Sequence, residues 1–194
     1  MNYVRKIPGE TVYLSPMRPD DAAQYAQWLN TPEINQFLAL STSTITENGE
    51  KAWIEQMGEK TVFAIVRQED DALLGNVALD TLDILNSTGE AGIFIGDSAC
   101  HGKGYGTEAL ALLLGYAFAN LNLESVMIRV FPWNPRAQKA YEKVGFQPVG
   151  VLRKAVKRYG KSWDVPVLDI TAEDFAQGPW KRFLPKPPHQ AHSS

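Results

Sequence analysis

Three glycines alternate with larger residues in the run His101-Gly102-Lys103-Gly104-Tyr105-Gly106. A β-forming stretch, Glu90 to Ile95, precedes it. A segment with Ala109, Leu110, Leu113, Leu114, Ala117 and Phe118 at helical spacing follows. Glycine enters backbone conformations that a Cβ forbids, so this junction is a turn built for close approach. Its N–H groups can point inward at a ligand. The helix that follows adds partial positive charge at its N-terminus, which suits a phosphate or pyrophosphate, and Lys103 would add a full charge. Neither common phosphate loop fits. The P-loop needs Gly-Lys-Ser/Thr after a four-residue gap, whereas Lys103 lies between glycines. The dinucleotide fingerprint needs G-x-G-x-x-G early in a βαβ unit. Here the spacing is G-x-G-x-G in mid-chain, after several strands that read as antiparallel. On the loop alone, a structural turn stands beside the phosphate site as an open reading.

The surrounding chain reads as one α/β domain of the α+β kind. Strands are expected over Thr11–Leu14, Val62–Val66, Leu73–Leu82, Glu90–Ile95, Ser125–Phe131, Phe146–Tyr159 and Ser162–Thr171. Helices are expected from Asp20 or Asp21 through Leu29, from Pro32 through Phe37, around Trp53, Ile54 and Met57, after the glycine loop, and over Arg136–Val144. Thr46 and Glu50 sit one residue too far apart for a capping box. Gly145 is placed to cap the last of these helices. The domain is expected to span residues 1–177. A proline-rich tail follows over 178–194, with roughly its last ten residues poorly ordered.

Composition removes several function classes. The formal net charge of −3 and pI near 5.6 argue against a nucleic-acid binder. The single cysteine, Cys100, can form no intrachain disulfide, and two of the three histidines, His189 and His192, lie in the tail. No metal site is therefore expected. The N-terminus has no apolar core of a signal peptide, and no apolar run approaches the roughly 18 residues of a membrane span. A cytoplasmic protein without membrane partners is the expectation.

Further along, Asn134-Pro135-Arg136-Ala137 precedes Tyr141-Glu142-Lys143-Val144-Gly145-Phe146. Together with the loop, this resembles the GNAT family of N-acetyltransferases. That family carries Gln/Arg-x-x-Gly-x-Gly/Ala, then an Asn, then a helix with Ala and Tyr, then Gly-Phe. The likeness is tightest from Glu90 to Gly150. Its one departure is His101, where the family has Gln or Arg.

The resemblance implies a mixed, mostly antiparallel sheet of about seven strands, flanked by helices, whose fourth and fifth strands splay around acetyl-CoA. It implies that Phe94, Ile95 and Gly96 face the pantetheine arm, and that Gly102, Lys103, Gly104, Tyr105, Gly106 and Thr107 bind the pyrophosphate with His101 helping to frame it. Asn134 and Ala137 complete the cofactor-binding set. Tyr141 would be the general acid at the CoA sulfur, and Glu90 a candidate for receiving the amine proton. The protein would then move an acetyl group from acetyl-CoA to a primary amine by direct attack in a ternary complex, as a monomer or homodimer. The acceptor would be a protein N-terminal amine or a small molecule. The element order resembles the branch acting on ribosomal-protein N-termini, through Trp28-Leu29-Asn30-Thr31-Pro32-Glu33, Arg153-Lys154 and Asp164. The acceptor region would be Trp28–Thr46, Leu79–Leu82 and Tyr159–Trp163.

Three other readings are weaker. Cys100 as an acyl carrier has no base except His101. A non-catalytic acyl-CoA-binding module of the same fold could dispense with Tyr141. A nucleotide-binding protein would show no CoA affinity.

Overall fold

The computed structural model describes residues 3–39, 42–57 and 61–185. Eight strands form one sheet: β1 (Ile7–Pro8), β2 (Val12–Pro16), β3 (Val62–Arg67), β4 (Leu73–Asp83), β5 (Thr88–Ile95), β6 (Ser125–Arg129), β7 (Gln147–Arg158) and β8 (Lys161–Thr171). Their order is β1-β2-β3-β4-β5-β6-β8-β7. All neighbours are antiparallel except β5 and β6. The mostly antiparallel α/β sheet expected from sequence is present with one strand more, because two-residue β1 is too short to carry an alternation.

The parallel pair opens the sheet. Its ladder runs from Thr88↔Ser125 to Ala91↔Ile128 and stops there, although β5 continues to Ile95. Past Ala91, β5 keeps its bonds to β4 but has no strand on its other side. That unpaired edge is the expected splay.

Helices cover both faces. On one side α1 (Ala22–Asn30), α2 (Pro32–Asn35) and α3 (Glu47–Gln56) form a small core of Ala22, Tyr25, Leu29 and Ile54. Thr46 starts α3 by accepting from the Gly49 N–H, a cap without the reciprocal half of the box. On the other side α4 (Tyr105–Asn120) is buried nearly all round. It is sandwiched between the sheet and α5 (Pro135–Val144), and chain past α6 (Ala172–Gln177) covers it further. Trp180, Phe183 and Leu184 pack on the main core, and a Cβ at Gly115 would stand 2.5 Å from the Phe183 carbonyl oxygen. The chain thus stays attached to the domain beyond residue 177. The far end of the expected tail, 186–194, lies outside the described residues. Among the described residues no helix is long and apolar enough to cross a membrane.

One buried charge ties this core together. Glu108, 5% exposed in the first turn of α4, accepts from the N–H groups of Glu10 and Thr11 and from the Thr11 hydroxyl. Removing it strands three donors. Glu108→Ala is therefore expected to cost about 3 kcal/mol or more. Thermal unfolding followed by circular dichroism should show a fall of roughly 6–12 °C.

Candidate active site

Two clefts open at the splay. The first, of about 430 Å³, takes most of the residues singled out in the sequence: Phe94, Ile95, His101, Gly102, Lys103, Gly104, Tyr105, Gly106, Thr107, Asn134, Ala137 and Tyr141. Gly104 lies at φ +90° as the N-cap of α4 and offers no side-chain cap. The N–H groups of the first helical turn therefore remain available at the mouth of the cleft. Lys103, Arg136, Lys139 and Lys143 line the same cleft. An unpaired strand edge, free helix N–H groups and four cations suit a ligand with an extended polar arm and several phosphates.

His101 has a definite task. One ring nitrogen, Nε2, lies 3.0 Å from the Ile95 carbonyl oxygen, and the other, Nδ1, lies 2.7 Å from Arg136 Nη1. A carbonyl only accepts and a guanidinium only donates, so these two contacts fit the tautomer with its proton on Nε2. The ring ties the end of β5 to α5. Glutamine, with one amide donor and one acceptor, offers the same pair of groups. His101→Gln should thus leave acetyl-CoA affinity within about twofold, and His101→Ala should weaken it about tenfold by freeing Arg136. Isothermal titration distinguishes the two.

Two other residues serve structure more than sequence suggests. Gly96 does not line the cleft. It is buried, and a Cβ there would stand 2.0 Å from the Trp28 ring. Its bareness admits that indole, which packs edge-on against Tyr25 and Phe94. Asn134 caps α5, its Oδ1 accepting from the Ala137 N–H at 3.2 Å. Only its amide NH₂ is left for a ligand.

The second cleft, of about 730 Å³, lies on the α1–α3 side of the sheet. It shares Phe37, Leu38, Ile93, Phe94, Asn134 and Tyr141 with the first. Tyr141 stands at this junction because Asn134 and Pro135 start α5, and because Gly145, at φ +121°, ends it one turn past the tyrosine. The ring is 7% exposed, and burial pushes its hydroxyl up to about 12. Glu90 lines the second cleft, where Arg129 Nε donates to its Oε1. Of the walls expected over Trp28–Thr46 and Leu79–Leu82, the cleft takes Leu29, Phe37, Leu38, Ala39, Thr44, Ile45 and Thr46 from the first and Asp80 from the second. The turn at Tyr159 to Trp163 lies outside the lining. Tyr159 and Trp163 instead pack edge-on against Trp133. The helix α3 contributes Gly49, Glu50 and Trp53, and β4 contributes Asp80. From sequence, Asp80 is expected only as part of the Leu79–Leu82 edge and Glu50 has no place in the site, since a carboxylate on a helix or strand reads as a solvated charge.

Cys100 borders the first cleft, but burial and neighbouring Asp97 push its thiol up. The His101 ring is spent on Ile95 and Arg136. A buried thiol whose ionisation is disfavoured is a poor acyl carrier.

A sheet opened at one parallel pair, with a helix N-terminus and a rim of cations at the opening, has the shape the acyltransferase fold uses, and similarity to known proteins shows that family. Residues 11–147 match the family model described as Acetyltransferase (GNAT) domain, and the chain belongs to that family. A probable N-acetyltransferase of Bacillus subtilis, YjcK, is 32% identical over 183 residues, covering 88% of this chain and 99% of the relative. Two solved structures share the fold. One is a spermidine N-acetyltransferase from Vibrio cholerae in complex with CoA and spermine, with TM-score 0.77, 20% identity and coverage of 86% of this chain and 99% of that one. The other is the microcin C7 self-immunity acetyltransferase MccE with acetyl-CoA and AMP, with TM-score 0.71, 22% identity and coverage of 84% and 93%.

Proposed function

We propose that the protein transfers the acetyl group of acetyl-CoA to a primary amine by direct attack within a ternary complex. The observation that carries this reading is the meeting of two clefts at Tyr141. The first would hold acetyl-CoA: Phe94 and Ile95 along the pantetheine, Gly102 to Thr107 around the pyrophosphate, and Asn134 and Ala137 beside the arm. His101 would hold Arg136 toward the phosphates. The second cleft would hold the acceptor, so the amine nitrogen and the thioester meet where the tyrosine hydroxyl lies.

Glu90 fits a positioning role better than that of a base. Its carboxylate is already engaged by the Arg129 guanidinium. The acceptor would be a small-molecule amine rather than a ribosomal-protein N-terminus, because this cleft presents carboxylates from two walls.

Thermal shift with acetyl-CoA, ATP and NAD tests the first half of the reading. Stabilisation by acetyl-CoA alone is expected, and none would overturn it. A screen of amines with CoA release as the readout tests the second half. Absence of release with every primary amine, in a protein that binds acetyl-CoA, would leave only a binding module.

A further inference from the structure

The acceptor cleft carries two carboxylates, Asp80 and Glu50, that no side chain among the described residues contacts with a hydrogen bond or an ion pair. Asp80 is the extra residue of a β-bulge, where the β4–β5 register shifts between Leu79 and Thr81. A bulge re-aims the side chain it carries. Opposite it, Gly92 leaves the room that the carboxylate needs, since a Cβ there would stand 2.3 Å from Asp80 Oδ2. Glu50 comes from the helical wall on α3. It is only 6% exposed and lines the cleft. Asp21 Oδ2 is the one sealed side-chain atom without a hydrogen-bond partner among the described residues, so the unpartnered Glu50 oxygens keep some access to solvent. Among the described residues neither carboxylate has a hydrogen bond or an ion pair.

Among the described residues, the cleft's cations are committed elsewhere. Arg129 holds Glu90. Arg158 donates to the Leu38 carbonyl and lies over the Phe131 ring. Burial pushes both free carboxyls up, with the charge of Glu90 adding to the effect at Asp80 and Arg129 opposing it. Favourable placement in the first turn of α3 does not account for Glu50, because exposed Glu47 serves that end of the helix without desolvation. An unpaired carboxylate is costly to bury, and a cationic ligand removes that cost.

We propose that the acceptor is an aliphatic amine carrying a second ammonium group, with Asp80 receiving the group to be acetylated and Glu50 holding the other. This rests on the reading of the second cleft as the acceptor site. Apolar Ile45, Trp53 and Ala78 line the cleft as partners for the methylenes between the charges. The Asp80 carboxylate takes one proton from the ammonium. The neutral nitrogen attacks the thioester carbonyl, the C–N bond forms and the C–S bond breaks. The departing thiolate takes the second nitrogen-bound proton, so the products are the amide, CoA thiol and protonated Asp80, which returns its proton to water.

Isothermal titration of the CoA-saturated protein tests this with α,ω-diamines from putrescine to octanediamine, with pentylamine and with aminocaproate. The best diamine should bind about tenfold or more tightly than pentylamine, and aminocaproate more weakly than either. Glu50→Gln should bring the diamine down to the level of pentylamine. The same substitution should raise the melting temperature of the free protein by about 2–4 °C, since it removes a desolvated charge. Asp80→Asn should weaken diamine and monoamine alike. Equal binding of diamine and monoamine, or an undiminished diamine affinity in Glu50→Gln, overturns the proposal. Failure of CoA itself to bind the wild-type protein would instead sink the acetyl-CoA reading, before any amine is added.

Discussion

A protein carrying Gly104→Glu is expected to fold and to lose acetyl-CoA binding. Gly104 sits at φ +90°, and an added Cβ would meet nothing within 4 Å. The substitution therefore costs only the strain of a left-handed conformation, about 1 kcal/mol. Its effect on binding is far larger. The new carboxylate stands at the N-terminus of α4, where the unpaired N–H groups of the first turn point. It would take those donors for itself and repel the phosphates they are proposed to hold. A loss of more than about a hundredfold in affinity is expected. Gly104→Ala, with the strain but no charge, should lie between this variant and wild type. Isothermal titration with acetyl-CoA, read beside the melting temperature of the free protein, separates ligand loss from misfolding. Near-normal affinity in the folded Glu variant would place the phosphates elsewhere.

That loop was the most legible part of the chain, because everything about it is local. Glycines at the end of a strand and the start of an apolar helix announce a turn before any tertiary contact is known. The element order followed for the same reason, since alternation and helical spacing are written in consecutive residues. What the sequence hid depends on side chains meeting across the fold. Gly96 looks like one more cofactor glycine until Trp28 is seen against it. Glu108 reads as an ordinary first-turn acid, yet it binds residues nearly a hundred positions away. Asp80 looks like a surface charge on β4, since neither the bulge nor the bare Gly92 beneath it has a signature in the strand's own pattern. His101 runs the other way. It departs from the family pattern as a letter, and its two ring nitrogens meet a carbonyl and a guanidinium with the donor and acceptor that glutamine would supply.

Tyr141→Phe is expected to lower kcat by about tenfold to a hundredfold while leaving acetyl-CoA affinity nearly unchanged. The hydroxyl is the only group removed, and the ring keeps its packing against Phe146. The size of the effect follows from the tyrosine's own acidity. Burial pushes the phenol up to about 12, whereas a thiol ionises near pKa 8.5. Full proton transfer from this phenol to a departing thiolate runs uphill by roughly 3–4 pK units. On the proposed reading, Tyr141 would act as a hydrogen-bond donor to the developing sulfur anion, and the proton that ends on sulfur would come from the attacking nitrogen. A phenol of this kind stays protonated through the working range. For wild type, any fall of kcat/KM at high pH should follow the acceptor's own ammonium groups losing their charge, not the phenol. The Phe variant should trace the same curve at a lower height. A descending limb near neutral pH that vanishes in Tyr141→Phe would show instead that the phenol delivers its proton outright. An unchanged kcat with chemistry shown to be rate-limiting would remove Tyr141 from the reaction.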